Sequence, residues 1–153
     1  ALITTVDEFG FTLIIDGDIS YEGSGLAKNE ADNNEGVLVF DYAGANAILI
    51  WFSDQNTDLN SIVGDNYTSL SGSQSEFEFS PISEGNITVD SNRGNFLTFL
   101  TRTKSGDNQG GGIIGSWRCS SGSVFSLVVT GSDPTVVQIR FKRLIGNFEC
   151  SSE

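Results

Sequence analysis

The sequence predicts an α+β fold in which a central antiparallel β-sheet is flanked by helices, with a long C-terminal helix packed on the sheet. Several short runs alternate apolar and polar residues with the period of a strand, and turn residues separate them. The last long segment instead repeats its apolar residues at helical spacing. Composition agrees, since 18 glycines and 11 phenylalanines in 153 residues favour strands and turns. A β-barrel closed by one helix is the rival architecture.

The C-terminal helix is predicted over Ser132–Cys150, and the other elements are arranged around it. Asp133 can accept a hydrogen bond from a free backbone N–H at the helix start, and Pro134 suits the first helical position. The apolar residues at helical spacing are Val137, Phe141, Leu144, Ile145 and Phe148. We expect this stripe to lie on the sheet.

The first third of the chain predicts three strands and one loop. Phe9–Ile15 alternates in the manner of a half-buried strand, and Ser20–Gly36 is a polar loop. Val37–Phe40 and Ala47–Phe52 are interpreted as an antiparallel pair. Because Ala47–Phe52 is almost continuously apolar, we expect a central strand that is covered on both faces.

A second helix and a meander of strands follow. Leu59–Leu70 has helical spacing, and Thr57 and Asp58 before it are a plausible cap. A turn is predicted over Asp90–Gly94. The strands of the meander are predicted at Phe77–Phe79, Ile87–Val89, Asn95–Thr103, Ile113–Cys119 and Ser123–Thr130.

Length and charge limit the class of protein. The chain is expected to be a single domain, residues 1–153, that buries about 70% of its unfolded surface. Its net charge of −12 argues against nucleic acid as a partner, because phosphate binding needs a basic face. The same charge argues against adhesion to anionic lipid, and no apolar run is long enough for a transmembrane helix.

The two cysteines predict a disulfide and export. Cys119 lies on a predicted strand, and Cys150 ends the helix that is expected to pack on that sheet. A Cys119–Cys150 bridge would stabilise the fold by about 3–4 kcal/mol, on a chain-entropy model. Disulfides persist outside the cytoplasm, and the chain contains no methionine and begins at Ala1, as a processed protein would. We therefore expect an extracellular or cell-surface protein, held at the surface if an anchoring segment precedes Ala1.

The residues needed for common catalytic sites are missing or unconvincing. The chain has no histidine, so a Ser-His-Asp or Cys-His arrangement is impossible. The Gly-rich segment Lys104–Gly112 lacks the ending of a phosphate-binding loop and is interpreted as a hairpin loop. Paired carboxylates could serve a hydrolase, and Trp51 and Trp117 could stack on sugars, but both tryptophans lie on predicted strands, where core packing is expected. We therefore expect that the protein is not an enzyme and that it binds no cofactor.

One short segment resembles the start of a calcium loop. Asp16, Asp18 and Glu22 place carboxylates at alternate positions, but the glycine and glutamate that complete an EF-hand are replaced by Tyr21 and Ala27. The sequence predicts no metal site. If one exists, Asp16, Asp18 and Glu22 are its ligands.

A strand and turn at Asn95–Asp107 are followed by the strand Val124–Leu127 and by a helix that ends in Ile145–Phe148. These segments, in this order, are similar to those of the PsbP family, the extrinsic photosystem II proteins and their relatives, and the resemblance covers about half of the chain. Gly10–Ile15 looks like its first core strand. The chain departs from the family at Asp16–Asp18, where a proline and a tryptophan usually follow, and it lacks the histidines that bind metal in some members. The resemblance implies a PsbP-like sandwich and a non-enzymatic accessory or binding role outside the cytoplasm.

The sequence therefore predicts a non-catalytic exported domain that binds an unidentified protein or stabilises an assembly. The alternative is a module that binds a small ligand, a glycan or calcium, and a carboxylate-dependent hydrolase ranks below both. Three of the eight cations, Arg140, Lys142 and Arg143, lie on the terminal helix. They can complement the helix dipole and the protein's own acids, or they can orient an acidic partner. Arg140 and Arg143 share one flank, and Lys142, which follows Phe141 by one residue, lies about 100° further round the helix than Phe141.

Overall fold

The computed structural model describes residues 2–106 and 109–151. Within those ranges the chain forms ten strands and two helices, and seven strands form one antiparallel sheet in the order β3-β4-β5-β9-β8-β7-β6. Strands β1, β2 and β10 form a smaller antiparallel sheet with β2 in the middle. The elements are β1 Ile3–Val6, β2 Thr12–Asp16, β3 Tyr21–Ser24, β4 Gly36–Tyr42, β5 Ala45–Ser53, α1 Leu59–Ser73, β6 Phe77–Val89, β7 Asn92–Thr103, β8 Gln109–Arg118, β9 Ser123–Gly131, α2 Pro134–Gly146 and β10 Phe148–Glu149.

The fold is an α+β sandwich built on the large sheet. Helix α2 and the small sheet pack on one face and share the main hydrophobic core, whereas α1 packs on the other face over a smaller cluster. The prediction of a central sheet flanked by helices therefore holds in part, because a second sheet covers one face together with α2. The large sheet is open, with β3 and β6 at its edges, so the rival barrel is wrong.

The terminal helix is shorter than the sequence indicated. Helix α2 ends at Gly146, and Phe148 lies in β10, where it pairs with Leu13 of β2. Phe148 keeps the buried position expected from the apolar stripe, but its ring reaches the core from a strand, 4.8 Å from the ring of Phe125. The predicted cap is confirmed, since an Asp133 carboxylate oxygen accepts the Thr135 N–H at 2.9 Å.

Local backbone geometry accounts for other boundary differences. Strand β2 begins at Thr12 because Gly10 has a φ of +86°, which interrupts the strand predicted from Phe9. The predicted polar loop Ser20–Gly36 contains β3, which pairs with β4. The turn predicted over Asp90–Gly94 is reduced to Asp90 and Ser91, both with positive φ. At α1, the Asp58 side chain makes no capping hydrogen bond.

Two segments of the meander are more regular than predicted. The segments at Phe77–Phe79 and Ile87–Val89 belong to one strand, β6, whose pairing with β7 shifts between Pro81 and Ser83. An edge strand tolerates such a proline because one side of it needs no hydrogen-bond donor. Strand β8 begins at Gln109, so Gly110–Gly112 are strand residues rather than loop. Residues 107 and 108 of the predicted loop lie outside the described ranges.

The disulfide predicted between Cys119 and Cys150 is present, with Cα atoms 5.8 Å apart. Cys119 follows β8 and Cys150 follows β10, so the bond joins the two sheets. The Cys150 N–H also donates to an Asp90 carboxylate oxygen at 2.9 Å. The end of β10 is therefore fixed to the large sheet by one covalent bond and one hydrogen bond.

Candidate functional site

An open groove runs between α2 and the hairpin formed by β6 and β7. Its cavity has a volume of about 300 Å³. A second cavity of about 80 Å³, which shares Thr98 and Gln138 with the first, extends the groove towards the start of α2. The apolar side chains that line the larger cavity are Ile87, Phe96, Ile113, Phe141 and Ile145.

The groove follows from the periodicities of its two walls. On α2, Gln138, Lys142 and Ile145 are four and three positions apart and share one flank. On β7, the alternation of apolar residues predicts Phe96 and Thr98 on one face and Phe99 on the other, and the structure turns the face of Phe96 and Thr98 towards α2. Glycine in β8 lets α2 lie close to the sheet, because a Cβ at Gly115 would be only 2.5 Å from the Phe141 ring.

The polar atoms of the groove are few. The Ser83 and Thr98 hydroxyl oxygens lie 2.6 Å apart in a hydrogen bond across β6 and β7, and Thr98 is buried. Gln138 and Lys142 are exposed on the α2 wall. An apolar surface with a small number of placed polar groups is typical of a binding site.

The predicted docking cations fall on opposite flanks of α2. The Arg140 Nε–H donates to the Ala43 carbonyl oxygen at 3.1 Å, and its guanidinium lies 5.3 Å from the centre of the Tyr42 ring. Arg143 Nη1 lies 3.1 Å from Asp16 Oδ2 in an ion pair. Both arginines thus make contacts within the chain. Within residues 2–106 and 109–151, Lys142 forms no hydrogen bond or ion pair.

Tyr42 links the two arginines to Asp16. Its ring is buried, and its hydroxyl donates to Asp16 Oδ1. Burial, followed by the hydrogen bond to Asp16, raises the pKa of Tyr42 to about 12. The hydrogen bond from Tyr42, aided by the charges of Arg143 and Arg140, holds the pKa of Asp16 below its ordinary value. These shifts favour the neutral tyrosine and the ionised carboxylate.

Asp16, Asp18 and Glu22 do not converge. Asp16 lies in β2 of the small sheet and is bound to Tyr42 and Arg143, whereas Glu22 lies in β3 of the large sheet, opposite Val39. In the parts of the chain that the structure describes, no group of three or more Cys, Asp or Glu side chains is placed to hold a metal ion.

Trp51 and Trp117 are core residues, as expected. Trp51 is buried and donates its indole N–H to the Asp32 carbonyl oxygen at 2.8 Å. Trp117 is buried and stacked on Phe125, with ring centres 5.8 Å apart. Neither ring can serve as an exposed platform for a sugar.

The sequence did not indicate the groove itself. Ile145 was assigned to the apolar stripe of the terminal helix, Phe96 to one face of its strand, and Ile87 only to a predicted strand. None of these patterns indicates which apolar residues a neighbouring element will leave uncovered. The alternation of β7 places Leu100 on the same face as Phe96, and this pattern was the available sequence signal for an apolar surface there. In the structure, Leu100 and Ile82 are exposed and line the smaller cavity. None of the helices within the described ranges is long and apolar enough to cross a membrane.

Comparison with known structures identifies the fold as PsbP-like. The solution structure of cyanobacterial PsbP (CyanoP) from Synechocystis sp. PCC 6803 matches with a TM-score of 0.66 and 12% identity, over 97% of this chain and 91% of that one. A mutant of the protein Mog1 matches with a TM-score of 0.61 and 9% identity, over 99% of this chain and 97% of that one. No family model and no curated protein sequence matches the chain. At such identities the similarity establishes the fold, and the resemblance to PsbP noted in the sequence is confirmed at that level.

Proposed function

We propose that this protein is a non-catalytic, exported accessory domain that binds another protein through the groove between α2 and the β6–β7 hairpin. The observation that carries the proposal is the groove itself, an apolar depression of about 300 Å³ with the cation of Lys142 on its wall. A PsbP-like fold is consistent with a binding or accessory role. The disulfide is consistent with export.

Lys142 suggests the chemistry of the partner. A protein of net charge −12 repels acidic surfaces in general, so an unpaired cation beside an apolar groove attracts them at one place. We therefore expect the partner to insert apolar side chains into the groove and to place a carboxylate near Lys142. Arg140 and Arg143 would contribute less than the sequence suggested, because contacts within the chain already engage them.

Site-specific photo-crosslinking tests the proposal. A photoreactive phenylalanine analogue in place of Gln138 lies in the groove, and the same analogue in place of Ile139, one position along and 49% exposed, faces away from it. In extracts of the source cells, we expect position 138 to capture one defined protein and position 139 to capture little of it. Lys142→Glu should reduce the capture, whereas Lys104→Glu, the same charge change at an exposed residue outside the groove, should not. Equal capture from both positions, or no response to Lys142→Glu, would rule out the groove as the docking site.

The volume of the groove also admits a second function, the binding of a small amphipathic ligand. About 300 Å³ is the lower end of the range for small-molecule sites, and Lys142 could bind a ligand carboxylate. Decanoate is a suitable probe. If decanoate raises the melting temperature with increasing concentration, and Lys142→Gln abolishes the rise, the ligand-binding function gains support. Calcium, tested in the same way, examines the third possibility at Asp16, Asp18 and Glu22.

A further inference from the structure

One face of strands β4 and β5 is apolar and only partly covered within the described chain. Five side chains form this open face: Val37, Val39, Ile48, Ile50 and Phe52. They lie on the α1 side of the sheet, opposite to the groove. Val39 is 40% exposed, and the other four are partly exposed.

The register makes the open face continuous. Val37 lies directly opposite Ile50, and Val39 lies directly opposite Ile48. Phe52 extends the row along β5, beside Val124 of β9. Cross-strand neighbours at such positions have Cβ atoms about 5 Å apart, so these five residues present one surface rather than scattered side chains.

Helix α1 stops short of this surface. It packs on β7 and β8, where Val63 and Tyr67 contact the cluster that contains Phe99 and Ile114. Its furthest bond in the other direction is from the Asn66 amide to the Ser126 hydroxyl on β9. Ser126 and Val128 of β9 lie opposite Ile50 and Ile48, so the α1 cluster ends at the β9 edge of the open face, where Ile48 packs against it. Val39 of β4, one strand further out, is 40% exposed.

The sequence of β5 indicates that another molecule covers this surface when the protein functions. Ala47, Leu49 and Trp51 face the core and are buried, while Ile48, Ile50 and Phe52 face the opposite way. A nearly continuous apolar strand is typical of a sheet that is covered on both faces, whereas a solvated face would carry polar side chains at alternate positions. The expectation of cover on both faces thus holds only in part for the chain by itself, because Ile48 packs against the α1 cluster while Ile50 and Phe52 remain partly exposed.

The charges on the β3 and β4 side of the open face are acidic, and Arg118, which lies beyond Phe52 and opposite Val124, is already engaged by the Asp54 and Thr57 carbonyl oxygens and by the Asp54 carboxylate. Glu22 of β3 lies opposite Val39, and Asp41 lies at the end of β4, where it accepts a hydrogen bond from the Asn46 amide at 3.1 Å. Strands β3, β4 and β5 contain no lysine or arginine. The surface thus has an apolar centre and a negative rim.

We propose that the open face docks a second protein whose contact patch has an apolar centre and a rim of lysine or arginine. A contiguous exposed apolar surface with a polar rim is typical of an interaction site. The charges at the rim favour a partner whose contact surface has the opposite charge. A second copy of this chain would bring Glu22 and Asp41 against their equivalents, and an anionic bilayer would repel them. Strands β1 and β10, the first and last described strands, lie on the α2 side of the sheet and therefore do not cover the open face.

A designed peptide tests the chemistry of this surface. The probe is a fluorescent amphipathic helix of leucine and lysine, and fluorescence anisotropy gives its dissociation constant. Val39→Lys places a charge in the centre of the open face. Leu100→Lys is the matched control, because Leu100 is also an exposed strand residue, 42% against 40%, but on the groove side of the sheet. We expect Val39→Lys to weaken binding about tenfold or more and Leu100→Lys to change it about twofold or less.

The outcomes separate this proposal from the groove. Equal weakening by the two substitutions, or equal binding of a scrambled peptide of the same composition, would overturn the open face as a specific site. Self-association in sedimentation that Val39→Lys abolishes would also overturn it, in favour of a second copy as the occupant. If Val39→Lys unfolds the protein, Val39→Thr keeps the shape and should still weaken binding, whereas no change would count against the proposal. Lys142→Glu should leave peptide binding intact, since the groove is on the opposite side.

Discussion

At the scale of single residues, Tyr42 shows how one buried hydroxyl connects distant parts of the chain. It belongs to β4, its hydrogen-bond acceptor Asp16 belongs to β2, and Arg140 and Arg143 approach from α2. The ring is 1% exposed, so the hydroxyl depends on Asp16 for its hydrogen bond. This arrangement changes the pKa of Tyr42, which can be measured by titration.

We expect Tyr42 to titrate apart from an ordinary tyrosine, with a pKa of about 12 against 10.0. The raised pKa means that the fold holds the proton that the unfolded chain releases. The contribution of Tyr42 to stability is therefore complete below pH 10 and is lost as the pH rises through about 12. Burial also raises the pKa values of Tyr21 and Tyr67, so the absorbance of tyrosinate should show a latest transition, near pH 12, that Tyr42→Phe removes. A wild-type titration with all three tyrosines near pH 10 would contradict this assignment.

A second prediction at this scale separates the two roles of the helix arginines. Arg143→Gln should raise the pKa of Asp16 towards its ordinary value, because the pairing charge is gone. The stability that Asp16 contributes is present above its unfolded pKa and is lost as the pH falls through the lowered folded value. NMR titration of the Asp16 carboxyl measures the shift, and Lys142→Gln is the control that should leave it unchanged. If Arg140→Gln and Arg143→Gln together slow the association of a partner without altering this titration, docking is their main role.

At the scale of elements, glycine sets the distance between layers. A Cβ at Gly112 would lie 2.3 Å from the Phe99 ring, and one at Gly115 would lie 2.5 Å from the Phe141 ring. Strand β8 therefore uses glycine on both faces to admit aromatic rings. Gly64 in α1 is the opposite case, because no atom outside the local helix backbone lies within 4 Å of an added Cβ.

Alanine substitutions should give opposite signs at these positions. Gly115→Ala overpacks the contact between β8 and α2 and should destabilise the fold by about 1–3 kcal/mol. Gly64→Ala removes glycine from an open helix position and should stabilise the fold by about 0.5–1 kcal/mol. Urea unfolding measures both. A neutral Gly115→Ala would mean that α2 moves away from the sheet at little cost.

The disulfide gives the second prediction for elements. Reduction of Cys119–Cys150 should lower the free energy of unfolding by about 3–4 kcal/mol, on the chain-entropy model for a separation of 31 residues. Denaturant unfolding with and without reductant measures it, and a Cys119→Ser/Cys150→Ser variant should not respond to reductant. Equal stability of the reduced and oxidised protein would show that Phe148 and the Asp90 hydrogen bond suffice to hold β10.

The elements that the sequence predicted well are those with local signals. Helix α2 has a cap, a proline and a full apolar stripe, and the alternation of β7 assigned Phe96 and Phe99 to opposite faces. β1 and β10 were missed because each is short and depends on β2 for its pairing. For the site, the helical period was enough to predict the relative angles of Arg140, Lys142 and Arg143 on their helix. It could not give their neighbours, since Ala43 and Asp16 are 97 and 127 positions away.

At the scale of the whole molecule, electrostatic repulsion should oppose folding. With 20 acids and 8 cations, the chain carries like charges that compaction brings together. Added sodium chloride should therefore raise the melting temperature, because screening weakens repulsion between exposed charges. Calorimetry at several salt concentrations measures it, with sucrose as a control for non-ionic effects. A falling melting temperature would mean that local pairs such as Arg118–Asp54 and Arg143–Asp16 outweigh the repulsion.

The two proposed surfaces lie on opposite sides of one sheet and differ in charge. The groove offers Lys142 to a partner with an acid, whereas the open face offers Glu22 and Asp41 to a partner with a base. The two sides of one sheet can thus bind two partners whose contact surfaces carry opposite charges. Val39→Lys and Lys142→Glu each alter one side alone, so the two interactions can be measured independently.

The Cys119–Cys150 bond also determines how the molecule would bear a mechanical load. Tension applied along the chain passes from Cys119 to Cys150 through the sulfur atoms and bypasses β9, α2 and β10. About 100 Å of extended chain, at about 3.3 Å per residue, is thereby withheld from stretching. A pulling experiment should show a contour length shorter by that amount until reductant is added. A protein attached by one end to a surface would keep α2, one wall of the groove, within the part of the chain that force cannot extend, whereas the β6–β7 wall lies outside it.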